Sequence, residues 1–320
     1  MTMAAKAGRR RHWLAGMLAW LAFAGGIVGC SPVGVLNATI SDRNLVIVRD
    51  IPYSTGPLAA EPRRRLDVYR PAYRPGAMPA PTSGLPVVVF LYGGSWQYGS
   101  RSDYLFAAAE MARRGAVVMV PDYRVYPQVR FPAFIDDAAQ AVAFARRAAV
   151  SWGGDPRRVF VVGHSAGAYI AAMLALDPEY LAAAGVARDA IAGTVGISGP
   201  YDFLPIQRPD VRAVFASAAG DMAATQPIAF ADGRNRPLLL LQGSADETVE
   251  PRNTQALAVR IQAAGGPVAE RFYPGVGHIG AIAAMAPLFR GKAPVLDDVM
   301  QFVHDPANIA PALADAASAI

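Results

Sequence analysis

The chain has 320 residues, 53% of them hydrophobic and 17% charged, with 30 basic side chains against 25 acidic ones and a single cysteine. This is enough material for one sizeable core, and one cysteine leaves no disulfide framework and no multi-cysteine metal site. Four of the basic residues (Lys6, Arg9, Arg10 and Arg11) lie in the first 29 positions, where there is no acid, so the remainder balances 26 against 25 and does not argue for a nucleic-acid partner.

In chain order, the basic start is followed by the apolar run LAGMLAWLAFAGGIVG, which ends at Gly29. Basic residues followed by a short apolar stretch describe an export signal, and the run is a little short for a membrane span. Ile27-Val28-Gly29-Cys30 resembles the lipobox of bacterial lipoprotein signals, in which the cysteine is lipidated and becomes the first residue of the mature protein. That resemblance implies a signal over 1–29, lipidation at Cys30, and a protein held on a membrane of the cell envelope. The serine at position 31 leans toward the outer membrane, if the cell has one. An uncleaved signal anchor is the alternative.

Residues 30–43 read as a polar tether. Strand-like runs follow at 44–53 and 63–71, then a Pro/Gly-rich loop at 73–84. LPVVVFLYGG (85–94) is apolar without alternation, as expected of a strand buried on both faces. From there strands at 116–123, 158–163, 191–198, 236–243 and 268–274 alternate with helices at 102–115, 132–150, 165–176 and 251–265. Residues 199–235 look irregular and partly helical, a possible cap. A last helix is expected at 296–305, within a domain running from 44 to 306, and a tail at 307–320. This alternation predicts an α/β fold with a mostly parallel central sheet, helices on both faces and one domain, the two early strands forming an antiparallel edge.

The most informative segment is RVFVVGHSAGAYIAAMLAL (158–176). Gly163-His164-Ser165-Ala166-Gly167 sits where a predicted strand turns into a predicted helix. A serine in so tight a turn needs glycine two before and two after it, because side chains there would strike the strand and the helix. The turn raises the hydroxyl above the sheet and aims a helix N-terminus at it, which suits a nucleophile whose intermediate becomes an oxyanion. The hydroxyl then needs a base. His164 lies inside the turn and reads as structural; His304 reads as a surface residue. His278, in the glycine-rich YPGVGHIG after a strand, is the favoured base. The orienting acid should lie between them at another strand end. Asp246 in LLLLQGSADETVEP fits, ahead of its neighbour Glu247 and of Asp202. LYGGSW (91–96) ends the long apolar strand with two glycines, so Gly93, Gly94 or Ser95 could donate to the oxyanion, with the amide of Ala166 as partner.

Taken together, LYGGSWQYGS, PDYRVYPQVRFPAFIDDAAQAV, WGGDPRRVFVVGHSAGAYIA, ISGPYDF, LLQGSADETV and GVGHIG resemble the small α/β-hydrolase carboxylesterases related to hormone-sensitive lipase, the BD-FAE-like esterases and the isoprenylcysteine methylesterases. The resemblance covers about residues 85–305. It implies an α/β-hydrolase fold, an acyl-enzyme reaction on small to medium ester substrates, and no cofactor or metal. Many of these esterases have histidine before the loop glycines. Here it is Tyr92, which favours the methylesterase-like branch and leaves the side chain a loop organiser. The resemblance also implies that Trp96, Tyr123 and Tyr126 line or buttress the site and that Asp155 is structural. Asp136 and Asp137 read as solvated or capping, and Arg63, Arg64 and Arg65 as a solvated edge. A serine peptidase of the same fold and a lipid-anchored binding protein with a relic site stand as alternatives. Oligomeric state is not legible.

Overall fold

The computed structural model describes residues 32–72 and 83–307. The expected export signal, Cys30 and most of the expected C-terminal tail lie outside the described residues. Eight strands form one sheet: β1 (Leu45–Pro52), β2 (Arg65–Pro71), β3 (Leu85–Leu91), β4 (Val117–Pro121), β5 (Gly154–His164), β6 (Gly193–Ile197), β7 (Leu238–Gly243) and β8 (Val268–Tyr273). Their order is β1-β2-β4-β3-β5-β6-β7-β8. From β4 to β8 all pairs are parallel, and β2 runs antiparallel to both β1 and β4. Every residue of β3, β4, β6 and β7 is buried, as unbroken apolar runs between two helical layers require.

The helices are α1 (Pro32–Ala38), α2 (Leu105–Arg113), α3 (Ala133–Ala148), α4 (Ala166–Leu176), α5 (Pro178–Ala183), α6 (Pro209–Val214), α7 (Arg252–Ala263), α8 (His278–Ala283) and α9 (Val295–His304). α4 is buried along its whole length, matching its alanine-rich, non-amphipathic sequence.

The structure corrects three expectations and adds one helix that the sequence reading did not include. The segment expected as a free tether contains α1, whose Leu36 is buried in the core. Asn37 ties this helix down: its Nδ2 donates to the Ser102 carbonyl at 2.8 Å, and its Oδ1 accepts from the Phe106 amide at 3.1 Å. The loop expected at His278 becomes a short helix, because glycine and alanine give no apolar period to read. α5 went unseen, although Asp177 caps it by accepting from the Glu179 amide and Pro178 begins it. Finally, Asp137 and Arg64 are buried, not solvated. Asp137 is bonded by the Arg64 guanidinium, and it accepts from Arg124 through the backbone amide at 3.0 Å and through Nε and Nη2 at 2.8 Å each. Removing one partner of such a pair strands a buried charge, at a cost of roughly 3–5 kcal/mol. Asp155 is buried and holds the Arg157 amide at 2.9 Å.

Candidate active site

The site forms where the parallel strands end. β5 delivers Ser165 at the bend into α4, with φ +55° and ψ −122°, outside the regions that ordinary side chains favour. The flanking glycines show why the bend is possible. A Cβ on Gly163 would lie 2.2 Å from the Gly167 carbonyl oxygen, and one on Gly167 would lie 2.1 Å from the Leu91 carbonyl oxygen. Both obstacles are backbone, so neither can turn aside.

His278, at the start of α8, points one ring nitrogen at this serine. Its Nε2 is 2.9 Å from Ser165 Oγ and its Nδ1 is 2.8 Å from Asp246 Oδ2. The carboxylate only accepts, so the ring proton sits on Nδ1 and Nε2 is left to accept from the serine hydroxyl. Asp246 follows β7 and is held by three further donors. Its Oδ1 takes the amides of Thr248 at 3.0 Å and Val249 at 2.9 Å, and its Oδ2 takes Gln242 Nε2 at 3.0 Å. Burial by itself would raise this carboxyl, but the bonds from His278 and from the Val249 amide outweigh it and hold the group below the usual carboxylate range. The aspartate is therefore charged wherever the imidazole works. Glu247 is exposed on the cavity rim, and His278 Nδ1 bonds Asp246 and not Asp202, so neither takes the place of Asp246.

The opposite wall is the loop after β3. Gly94, Ser95 and Trp96 have φ of +137°, +52° and +59°. The amides of Gly94, Ser95 and Ala166 have no acceptor among the described residues, and Ser95 and Ala166 border the same cavity as Ser165. Gly93 differs: its amide already donates to Tyr104 Oη at 3.2 Å, so it is not free for an oxyanion. That hydroxyl also lies 3.2 Å from His164 Nδ1. His164 is buried with its ring centroid 5.0 Å from that of His278, and burial first, then the nearby His278, pushes it well below the usual histidine range, so it stays neutral. Tyr92 is buried and stacks on Tyr123 at 4.6 Å, and its carbonyl takes the Tyr123 hydroxyl at 2.7 Å.

A cavity of about 290 Å³ opens beside Ser165. Trp96 forms its inner wall, packed on Tyr169 and Phe215 at 5.1 and 4.9 Å. Phe203, Ile206 and Val211 reach it from the 199–235 segment, and Arg208, Glu250 and Arg252 give it a charged rim. Tyr123 and Tyr126 do not border the cavity. Tyr123 is fully buried behind the loop, and the Tyr126 amide braces it by donating to the Trp96 carbonyl at 2.9 Å. Among the described residues no cluster of three or more His, Cys, Asp and Glu is placed to hold a metal ion.

Sequence reasoning passed over Gln242 and Tyr104. A lone glutamine closing the run LLLLQG was the available signal for the first. Tyr104 carried none, since a tyrosine in a helix start is ordinary.

A mostly parallel sheet with a serine at the strand-to-helix bend, and an acid and a histidine from the next strand ends, defines an α/β-hydrolase fold. The BD-FAE family profile matches residues 66–261, and the chain belongs to that family. It is 28% identical over 267 residues to isoprenylcysteine alpha-carbonyl methylesterase ICME of Arabidopsis thaliana, covering 76% of this chain and 60% of that protein. It is 30% identical over 276 residues to esterase LipC of Mycobacterium tuberculosis, covering 77% and 68%. The alignment thus spans about 60% of the length of the plant methylesterases. Esterase B of Lactobacillus rhamnosis shares the fold with a TM-score of 0.70 at 20% identity, covering 91% of this chain and 95% of that one.

Proposed function

We propose that this protein is a serine carboxylic-ester hydrolase acting through an acyl-enzyme on small to medium acyl esters. One observation carries this reading: an unbroken hydrogen-bonded line from Ser165 through His278 to Asp246, beside a cavity with free amides. His278 Nε2 takes the hydroxyl proton as Ser165 Oγ bonds to the ester carbonyl carbon. The amides of Gly94, Ser95 and Ala166 receive the oxyanion, helped by the N-terminus of α4. Collapse breaks the bond to the alcohol oxygen, which leaves with the proton from Nε2. Water then attacks the acyl carbon, giving its proton to the same nitrogen; collapse breaks the bond to Ser165 Oγ, which takes that proton back from Nε2 as the acid is released. Asp246 holds the tautomer and steadies the imidazolium throughout.

The named relatives, a methylesterase and esterases, favour an ester over a peptide, and the 290 Å³ cavity favours an acyl group of modest size. The leader sequence and Cys30 support a lipid-anchored protein of the cell envelope. Among the described residues no helix is long and apolar enough to cross a membrane.

A fluorophosphonate should label Ser165 and nothing else, and Ser165→Ala should lower kcat by about 10⁴-fold or more while the fold persists. No adduct on folded protein would point to a non-catalytic binding protein. Faster cleavage of peptides than of matched esters would point to a peptidase.

A further inference from the structure

The N-terminal helix is placed where a membrane anchor would aim the active site. Asn37 bonds the 3-10 turn at 101–104 through Ser102, and the start of α2 through Phe106. That turn also carries Tyr104, whose hydroxyl accepts the Gly93 amide of the loop facing Ser165. α1 is thus docked on the catalytic end of the sheet. The apolar run of the leader ends at Gly29, three residues before Pro32. Three residues of chain span at most about 10 Å, so an anchor at that point would keep α1 within about that distance of the membrane. This holds whether Cys30 carries the lipid or the run stays uncleaved.

The exposed large apolar side chains are biased to that same end. Of seven among the described residues, four lie there. Val35 is on α1, Tyr98 is in the loop facing Ser165 at 68% exposure, and Ile279 follows His278 at 63%. Leu58 belongs to the turn between β1 and β2, which Arg63 ties to the Gly99 carbonyl at 3.2 Å. Val150, by contrast, lies past the far end of α3, Val259 on the flank of α7, and Leu288 in the segment between α8 and α9. Single exposed apolar residues are ordinary, but four on segments at the end of the sheet that bears α1 are what an interfacial face would use.

We infer that the catalytic end rests against a phospholipid bilayer, with Val35, Leu58, Tyr98 and Ile279 in the headgroup region, and that ester substrates enter from the lipid side. The substrate class is then an amphiphile partitioned at the membrane surface. This inference rests on the membrane-anchored reading above.

Because Cys30 is the only native cysteine, single cysteines at 58, 98, 150 and 259 can be labelled with bimane in the lipidated full chain, reconstituted into phosphatidylethanolamine–phosphatidylglycerol vesicles. Brominated lipid should quench positions 58 and 98 about twofold and leave 150 and 259 unchanged. Val35→Asp with Leu58→Asp should slow hydrolysis of a vesicle-borne ester about tenfold and leave a water-soluble butyrate ester unaffected. If the protein floats with the vesicles but 58 and 98 are no more quenched than 150 and 259, the orientation is wrong while the anchor stands. If it does not float, the anchor reading fails and this inference falls with it.

Discussion

The two walls flanking Ser165 are both made of strained backbone, yet they are held in opposite ways. At the elbow the strain is absorbed locally, since Gly163 and Gly167 leave room for a packing that any Cβ would block. In the facing loop, Ser95 and Trp96 adopt positive φ with full side chains, and the bend is imposed from outside. Trp96 is wedged among Tyr169, Phe203 and Phe215, and its carbonyl is tied to the Tyr126 amide. Tyr104 holds the Gly93 amide. A site can thus pair one wall built by local sterics with another built by tertiary clamping, and the two should fail differently.

Gly167→Ala breaks the elbow and should have the largest effect. The added methyl meets the Leu91 and Tyr92 carbonyl oxygens at 2.1 and 2.5 Å, which forces α4 away from β3. A loss of about 3 kcal/mol, or about 10 °C in Tm by calorimetry, is expected together with near-complete loss of kcat. An active variant with wild-type Tm would show that the packing yields more easily than the geometry implies.

Gly94→Ala breaks the loop instead. Its Cβ would lie 2.3 Å from the Tyr98 carbonyl at a φ that disfavours other residues. Gly94 itself is only half-buried, over the sheet end, so kcat should fall about 10²-fold, as for loss of an oxyanion donor, with a smaller drop in Tm than at Gly167. Steady-state kinetics beside calorimetry test the contrast, and equal stability losses at the two glycines would erase it.

Tyr104→Phe sharpens the comparison with the smallest change. The ring contacts remain while the hydroxyl shared by Gly93 and His164 is lost. A roughly tenfold lower kcat, KM within about twofold, and about 1 kcal/mol less stability are expected, the last as for one buried hydrogen bond. An unchanged kcat with the same stability loss would make the tyrosine a purely structural post.

The strand and helix order, the parallel sheet and the elbow were legible because each leaves a pattern in neighbouring residues. Unbroken apolar runs mark β3 and β7, and Gly163 and Gly167 announce the sharp turn. Asp246 and His278 were legible as strand-end residues in the expected order. What went unread depends on distant partners. Asp137 looked like a helix surface acid until Arg64 and Arg124 enclosed it. α1 looked like a tether until Asn37 found the α2 start. Tyr123 and Tyr126 could have lined the site or buttressed it, and the fold put them behind the loop, bracing it.

By itself, then, the sequence determined the sheet, the elbow and the three side chains that meet there, since backbone sterics and apolar periodicity act over a few residues. Only the tertiary structure decided how the cavity is walled, which acids are buried in ion pairs, and where α1 docks. Those depend on hydrogen bonds and packing between segments tens to more than a hundred residues apart, whose pairing no local pattern records.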